Sequence, residues 1–287
     1  MSTFQTNTQK TKGFGTNVCN PIFKSIGKRR EEFVTDDTQA TYSGIISKTV
    51  FLLLMVFAGF AAFFVSHSVT MGMAPTLAAT DASGIYDIQT NYIELGIAVV
   101  MLVMSIVLPI AGIFLRAIMP AIGILYALTQ GFFIGMITEF LAPEYKWASM
   151  LALVLTATIV AVMLVLYSRR IIKATEKFRT VVSSIFVTML IGGLLMFILT
   201  LIPFTRPMAM GVVTFMNSPV IGVILGIVYI VVAALFLIVD FDNIESCVRD
   251  GMPKKYEWMC AVGLCYTIIY IYFKVLELIL RIAKESK

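Results

Sequence analysis

Three acidic residues, Asp240, Asp242 and Glu245, stand close together in Val239-Asp-Phe-Asp-Asn-Ile-Glu245, directly after a long apolar run. Carboxylates at this spacing can share a proton near neutral pH or hold a cation between them. Asp242 and Glu245 share a helical face, and Arg249, seven residues beyond Asp242, returns to it. Lys254 and Lys255 follow closely. The cluster therefore reads either as a solvated network of opposite charges or as a site that senses protons and binds cations. A helix C-terminus is itself partly negative, so compensating charge is expected nearby.

Ionisable groups in or beside apolar runs are costly, which makes each one a candidate for function. Glu94 begins one such run and Glu139 ends the next, which puts both on one side of a membrane. Carboxylates there favour cations at the mouth of a path. Marking helix ends is their plainer role. Lys274 and Glu277 lie within the last run, three residues apart and near enough for an intrahelical pair. Lys274 either snorkels outward past the apolar surface or pairs with a carboxylate inside the bundle.

His67 is the single histidine and reads as an interfacial residue, so a histidine-pair metal site is excluded. Cys19, Cys247, Cys260 and Cys265 lack the spacing of a zinc site and read as unpaired structural residues. The sequence has no Gly-x-Gly-Asp motif, nucleophile elbow or phosphate loop, and an enzyme is not expected. No cofactor is expected.

The elements that position these residues are helices in a bilayer. Of 287 residues, 59% are hydrophobic and 14% charged, and the mean hydropathy is +0.91; water is not the main solvent of such a chain. A spanning helix takes roughly 20 apolar residues. Seven runs qualify: Thr49–Val65, Leu95–Leu115, Ala121–Thr138, Ala148–Tyr167, Val181–Ile202, Pro219–Val239 and Trp258–Leu280. They are continuous, unlike the alternating strands of a membrane β-barrel. The expected fold is an all-α membrane protein of seven transmembrane helices.

Lys and Arg accumulate on the cytoplasmic side of membrane proteins. The N-terminal segment and the second, fourth and sixth loops carry sixteen of them, against five on the other side, with Lys274 inside the last span. The N-terminus is therefore expected in the cytoplasm. Seven crossings place the tail cations Arg281, Lys284 and Lys287 outside, against the trend. A re-entrant or shallow last segment is the alternative.

Residues 1–44 are polar, without an apolar signal segment, and read as a mostly disordered cytosolic arm. Residues 45–287 form the seven-helix domain. The Val69–Asn91 loop is rich in turn formers and reads as an outer lid, and the other links are short. Gly131-Phe-Phe-Ile-Gly135 and Gly222-Val-Ile-Leu-Gly226 occupy spans three and six. Glycines four apart let two helices approach closely. Their matching positions suggest two three-helix halves.

Several segments together resemble the bacterial branch of the Bax-inhibitor (TMBIM) family of membrane proteins over residues 20–281. They are Asn20-Pro-Ile-Phe23, Ala40-Thr-Tyr-Ser-Gly44 with Lys48-Thr49, Tyr126-Ala-Leu-Thr-Gln-Gly131, Val239-Asp-Phe-Asp-Asn-Ile-Glu245 and Gly251-Met-Pro-Lys-Lys-Tyr-Glu-Trp258. The resemblance implies a central last helix wrapped by two three-helix layers, in the bacterial inner membrane. It also implies a pH-sensitive calcium leak controlled by paired aspartates, one after span six and one in span seven. The first carries over to Asp242, with Asp240 the second choice. Trp258–Leu280 contains no aspartate. This branch of the family often has glutamate then arginine there, and Lys274 and Glu277 reverse those charges. Asp240 with Asp242, or Asp242 with Lys274, could stand in for the pair.

Two functions follow as expectations: a pH-sensitive cation leak or transporter passing calcium or protons, or a non-conducting regulator that docks another membrane complex such as a quality-control protease. Beyond the lipid bilayer the partners are those ions or that membrane protein, and no nucleic acid. A retinal protein is disfavoured, because Tyr270 stands where microbial rhodopsins place an aspartate four residues before their lysine.

Overall fold

The computed structural model describes residues 39–73, 77–80, 86–115, 118–172 and 174–285. Its long helices are α1 (Tyr42–Met71), α2 (Tyr92–Phe114), α3 (Met119–Phe140), α4 (Trp147–Ser168), α5 (Glu176–Leu201), α7 (Pro219–Arg249) and α8 (Tyr256–Glu285), with the shorter α6 (Arg206–Met216) between α5 and α7. Seven are long and apolar enough to cross a bilayer. The chain is an all-α membrane protein of seven spanning helices, as its apolar runs require.

The helices outrun the apolar stretches because hydropathy stops where polar helical turns begin. Thr41 sets the start of α1: its hydroxyl accepts from the Gly44 amide at 3.0 Å, seven residues before the expected edge. Asn91 caps α2 in the same way, accepting from the Glu94 amide at 2.9 Å. At the other end of the chain α7 runs through Asp240, Asp242 and Glu245, so the acidic cluster is helical rather than a loop. Gly251 turns the chain into α8 with a φ of 62°, a conformation that suits a residue without Cβ.

Two links differ from expectation. The connection after span five is not a plain short loop but contains α6, started by Pro207 at a position where a missing amide is harmless. Within the Val69–Asn91 loop, β1 (Leu77–Thr80) pairs antiparallel with β2 (Asp87–Thr90), Leu77 opposite Thr90 and Thr80 opposite Asp87. Tyr86 bridges to Leu141 at the end of α3. The expected arm falls largely on residues 1–38, outside the described residues. Its last part is folded: Gln39 pairs with Pro253, and the Ala40 amide donates to the Met252 carbonyl at 2.6 Å.

The last helix is central. In α8, 72% of the most apolar window is buried, against 11% in α2, and it packs on α1, α3, α4 and α7. The glycine pairs serve two different contacts. Gly131 lies against the Val56 carbonyl of α1 and Gly135 against Phe63, so that a Cβ at Gly131 would stand 1.9 Å from that oxygen. Gly222 and Gly226 instead admit Arg281 and Leu278 of α8. Between α5 and α7, Phe186 stacks on Phe236 at 4.2 Å.

Candidate ion-sensing site

The three acids of α7 are brought to three different neighbours. Residues two apart on a helix point about 200° away from each other, so Asp240 and Asp242 cannot face one another. Asp240 is fully buried and faces α8, where the Thr267 hydroxyl donates to its Oδ2 at 2.5 Å. Asp242 faces α5 and pairs with Arg179 at 3.0 Å. Glu245 reaches the end of α4, accepting from the Tyr167 hydroxyl and lying 3.6 Å from Arg170.

The paired compensating charge at this helix end comes from Arg179 and Arg170, while Arg249 acts on Asp242 through its charge without pairing to it. Arg249 turns to Ser246 at 3.1 Å and to Asp250 at 3.9 Å. Arg179 also donates to Asn243, whose amide nitrogen is buried without a partner among the described residues. The hydroxyl of Ser183, one turn beyond Arg179 on α5, is in the same state. Lys254 is part of the turn into α8, and Lys255 lies 5.8 Å over the Tyr256 ring.

Neither stand-in for the second aspartate is assembled. Lys274 lies seven residues, about 10 Å, beyond Thr267 along α8. It pairs with Glu277 at 2.8 Å and lies 4.8 Å over the Tyr229 ring, which fulfils the intrahelical pairing and not one with Asp242. Glu277 also accepts from Arg281 at 2.6 Å. The position that faces Asp240 across the helix contact belongs to Thr267, a hydroxyl that hydropathy passes over.

At the opposite end, Glu94 is buried rather than open at a mouth. It meets the His67 Nδ1 at 2.8 Å and accepts from the Thr90 hydroxyl at 3.1 Å. His67 is therefore a link between α1 and α2, stacked on Phe63 at 5.5 Å, and not merely an interfacial ring. Glu139 pairs with Lys146 at 3.0 Å and lines a cavity of about 160 Å³ with His67, Asp87 and Gln89. Among the described residues no three acidic, histidine or cysteine side chains converge to hold a metal.

Two larger cavities flank the central helix. One of about 380 Å³ lies between α2, α3 and α8, lined by Pro109, Tyr126, Gln130, Tyr266 and Tyr270. The other, about 640 Å³, reaches the C-terminal end of α8 at Glu277, Arg281 and Lys284. Phe273 lines both.

Near the start of α8 two of the segments quoted for the resemblance meet. Glu257 is fully buried, and Lys48 of α1 donates to its Oε2. The Thr41 amide and hydroxyl both donate to its Oε1, at 2.9 and 3.2 Å. Gly44 leaves room for this carboxylate, since a Cβ there would lie 2.3 Å from Oε1. A family model described as Bax inhibitor 1 like matches residues 20–284. The chain belongs to the Bax-inhibitor-1-like family. No curated protein and no solved structure matches it. In this member of the Bax-inhibitor-1-like family the clasp joins Ala40–Lys48 to Gly251–Trp258, two segments more than 200 residues apart in the sequence.

Sequence reasoning missed Glu257, Arg179 and Thr267. Glu257 was visible as an acid at the edge of an apolar run. Arg179 and Thr267 gave no local signal, because their partners lie on other helices.

Proposed function

We propose that this Bax-inhibitor-1-like protein is a pH-sensitive cation leak, with calcium as the ion to test. The observation that carries the reading is the pair of cavities along α8 that share Phe273 in their walls. Aromatic constrictions close a pathway by excluding water. α2 is the least buried span and walls the smaller cavity at Pro109, so its displacement widens the path at low cost. The cavity-lining Tyr266 is next to Thr267, the partner of Asp240.

In this reading ionised Asp240 attracts the passing cation and its protonation removes the attraction. Asp240 faces Thr267 on α8. The buried thiols of Cys247 and Cys260 lie at the same helix contact. Arg179 and Asn243 flank the α5 side. Calcium passes as substrate and is held only in transit. The asymmetry of Lys and Arg supports a cytoplasmic N-terminus, and the resemblance implies a bacterial inner membrane.

One observation favours a second reading, a non-conducting regulator bound to another membrane protein. The larger cavity carries Arg281 and Lys284 against Glu277 alone, and an excess of cations repels calcium. Reconstitution into liposomes loaded with a calcium dye separates the two. Entry that requires the protein and rises several-fold in Phe273→Ala supports the leak. Folded, inserted protein without entry overturns it in favour of the regulator.

A further inference from the structure

Lys274, Glu277 and Arg281 of α8 form a compact group, of which Glu277 and Arg281 also line the larger cavity. Lys274 and Arg281 both bind Glu277, one on each carboxylate oxygen, at 2.8 and 2.6 Å. The group is left with one net positive charge. Arg281 uses Nη2 for Glu277 and for Asn217 at 2.5 Å. Its Nη1 occupies the notch at Gly222, where a Cβ would lie 2.3 Å away. Lys and Arg carry three and five N–H donors, so both retain capacity toward a further acceptor.

That capacity faces a cleft of about 390 Å³ between α5, α7 and α8, within the size range of ligand sites. Gly192, Gly193, Gly222 and Gly226 line its apolar part. Gly192 and Gly193 are exposed, and a Cβ on either meets nothing within 4 Å. The cleft is thus open sideways, toward the bilayer in a protein of this class. An uncompensated cation at this depth is costly. The tail cations Arg281, Lys284 and Lys287 also run against the Lys and Arg asymmetry of the rest of the chain. An anionic ligand accounts for both observations.

We propose that this cleft binds an anionic phospholipid from the leaflet on the Arg281 side. Its phosphate lies between Lys274 and Arg281, and an acyl chain lies along Gly192 and Gly193. Arginine forks match phosphate oxygens, and basic pockets between spanning helices suit such headgroups. The sideways opening selects a lipid over a free anion.

Native mass spectrometry of the full chain in detergent tests this with phosphatidylglycerol and phosphatidylcholine of equal chain length. Retention of phosphatidylglycerol is expected to exceed that of phosphatidylcholine by about tenfold, and Lys274→Gln or Arg281→Gln to reduce the preference by about fivefold each. Lys274→Arg should keep it. Gly193→Leu fills the cleft without touching a charge, and is expected to lower retention of phosphatidylglycerol while the helical circular dichroism stays unchanged. Equal retention of the two lipids, a preference unaltered in the charge and cleft variants, or displacement by excess inorganic phosphate would overturn the assignment.

Discussion

Both carboxylate oxygens of Glu257 are committed, one to Lys48 and the other to Thr41. Removing the lysine strands a buried charge, which costs about 3–5 kcal/mol. Lys48→Met is therefore expected to lower the melting temperature of the detergent-solubilised protein sharply, and adding Glu257→Gln should recover much of the loss. Arg179 holds Asp242 and Asn243 together, so Arg179→Ala is expected to weaken hydrogen-exchange protection across α5 while leaving α1 unaffected. The acids of α7 were legible as candidates from residue type alone. Their partners were not, because spacing reports only neighbours within a turn or two of the same helix. That rule correctly paired Lys274 with Glu277. Applied to Asp242 it selected Arg249, while the actual partner, Arg179, is on another helix.

At the scale of elements, glycine has two opposite meanings in this bundle. Gly131 lies in the α1–α3 contact, where even a Cβ collides with a backbone carbonyl. Gly192 lies in open space. Gly131→Val is expected to abolish the folded state in detergent, read as loss of a cooperative melting transition. Gly192→Ala is expected to be neutral or to stabilise by about 0.5–1 kcal/mol, since alanine is the better helix former. Seven spans were legible because a bilayer imposes length and apolarity on each. Their true ends were not: α1 begins at the Thr41 cap, and α7 continues past the last apolar residue into its acids. The amphipathic α6 escaped because 11 residues do not make a spanning run. The two Gly-x-x-x-Gly motifs were legible as close-approach sites, but their partners, α1 and α8, were not.

At the scale of the whole molecule, the buried last helix organises both cavities and the Asp240 contact. Its central place was expected from the family resemblance alone. The separation of Asp240 from Asp242 could not follow from sequence, as it depends on which helices lie beside α7. In the proposed leak Asp240 is the proton-sensitive group and Asp242 a structural partner of Arg179. The most direct test is calcium entry into dye-loaded liposomes at a series of pH values across neutrality, for the native chain beside Asp240→Asn and Asp242→Asn. Flux is expected to rise with pH in the native chain, to be low and flat in Asp240→Asn, and to keep its pH dependence in Asp242→Asn. Unchanged pH dependence in correctly inserted Asp240→Asn, or its loss only in Asp242→Asn, would contradict the account.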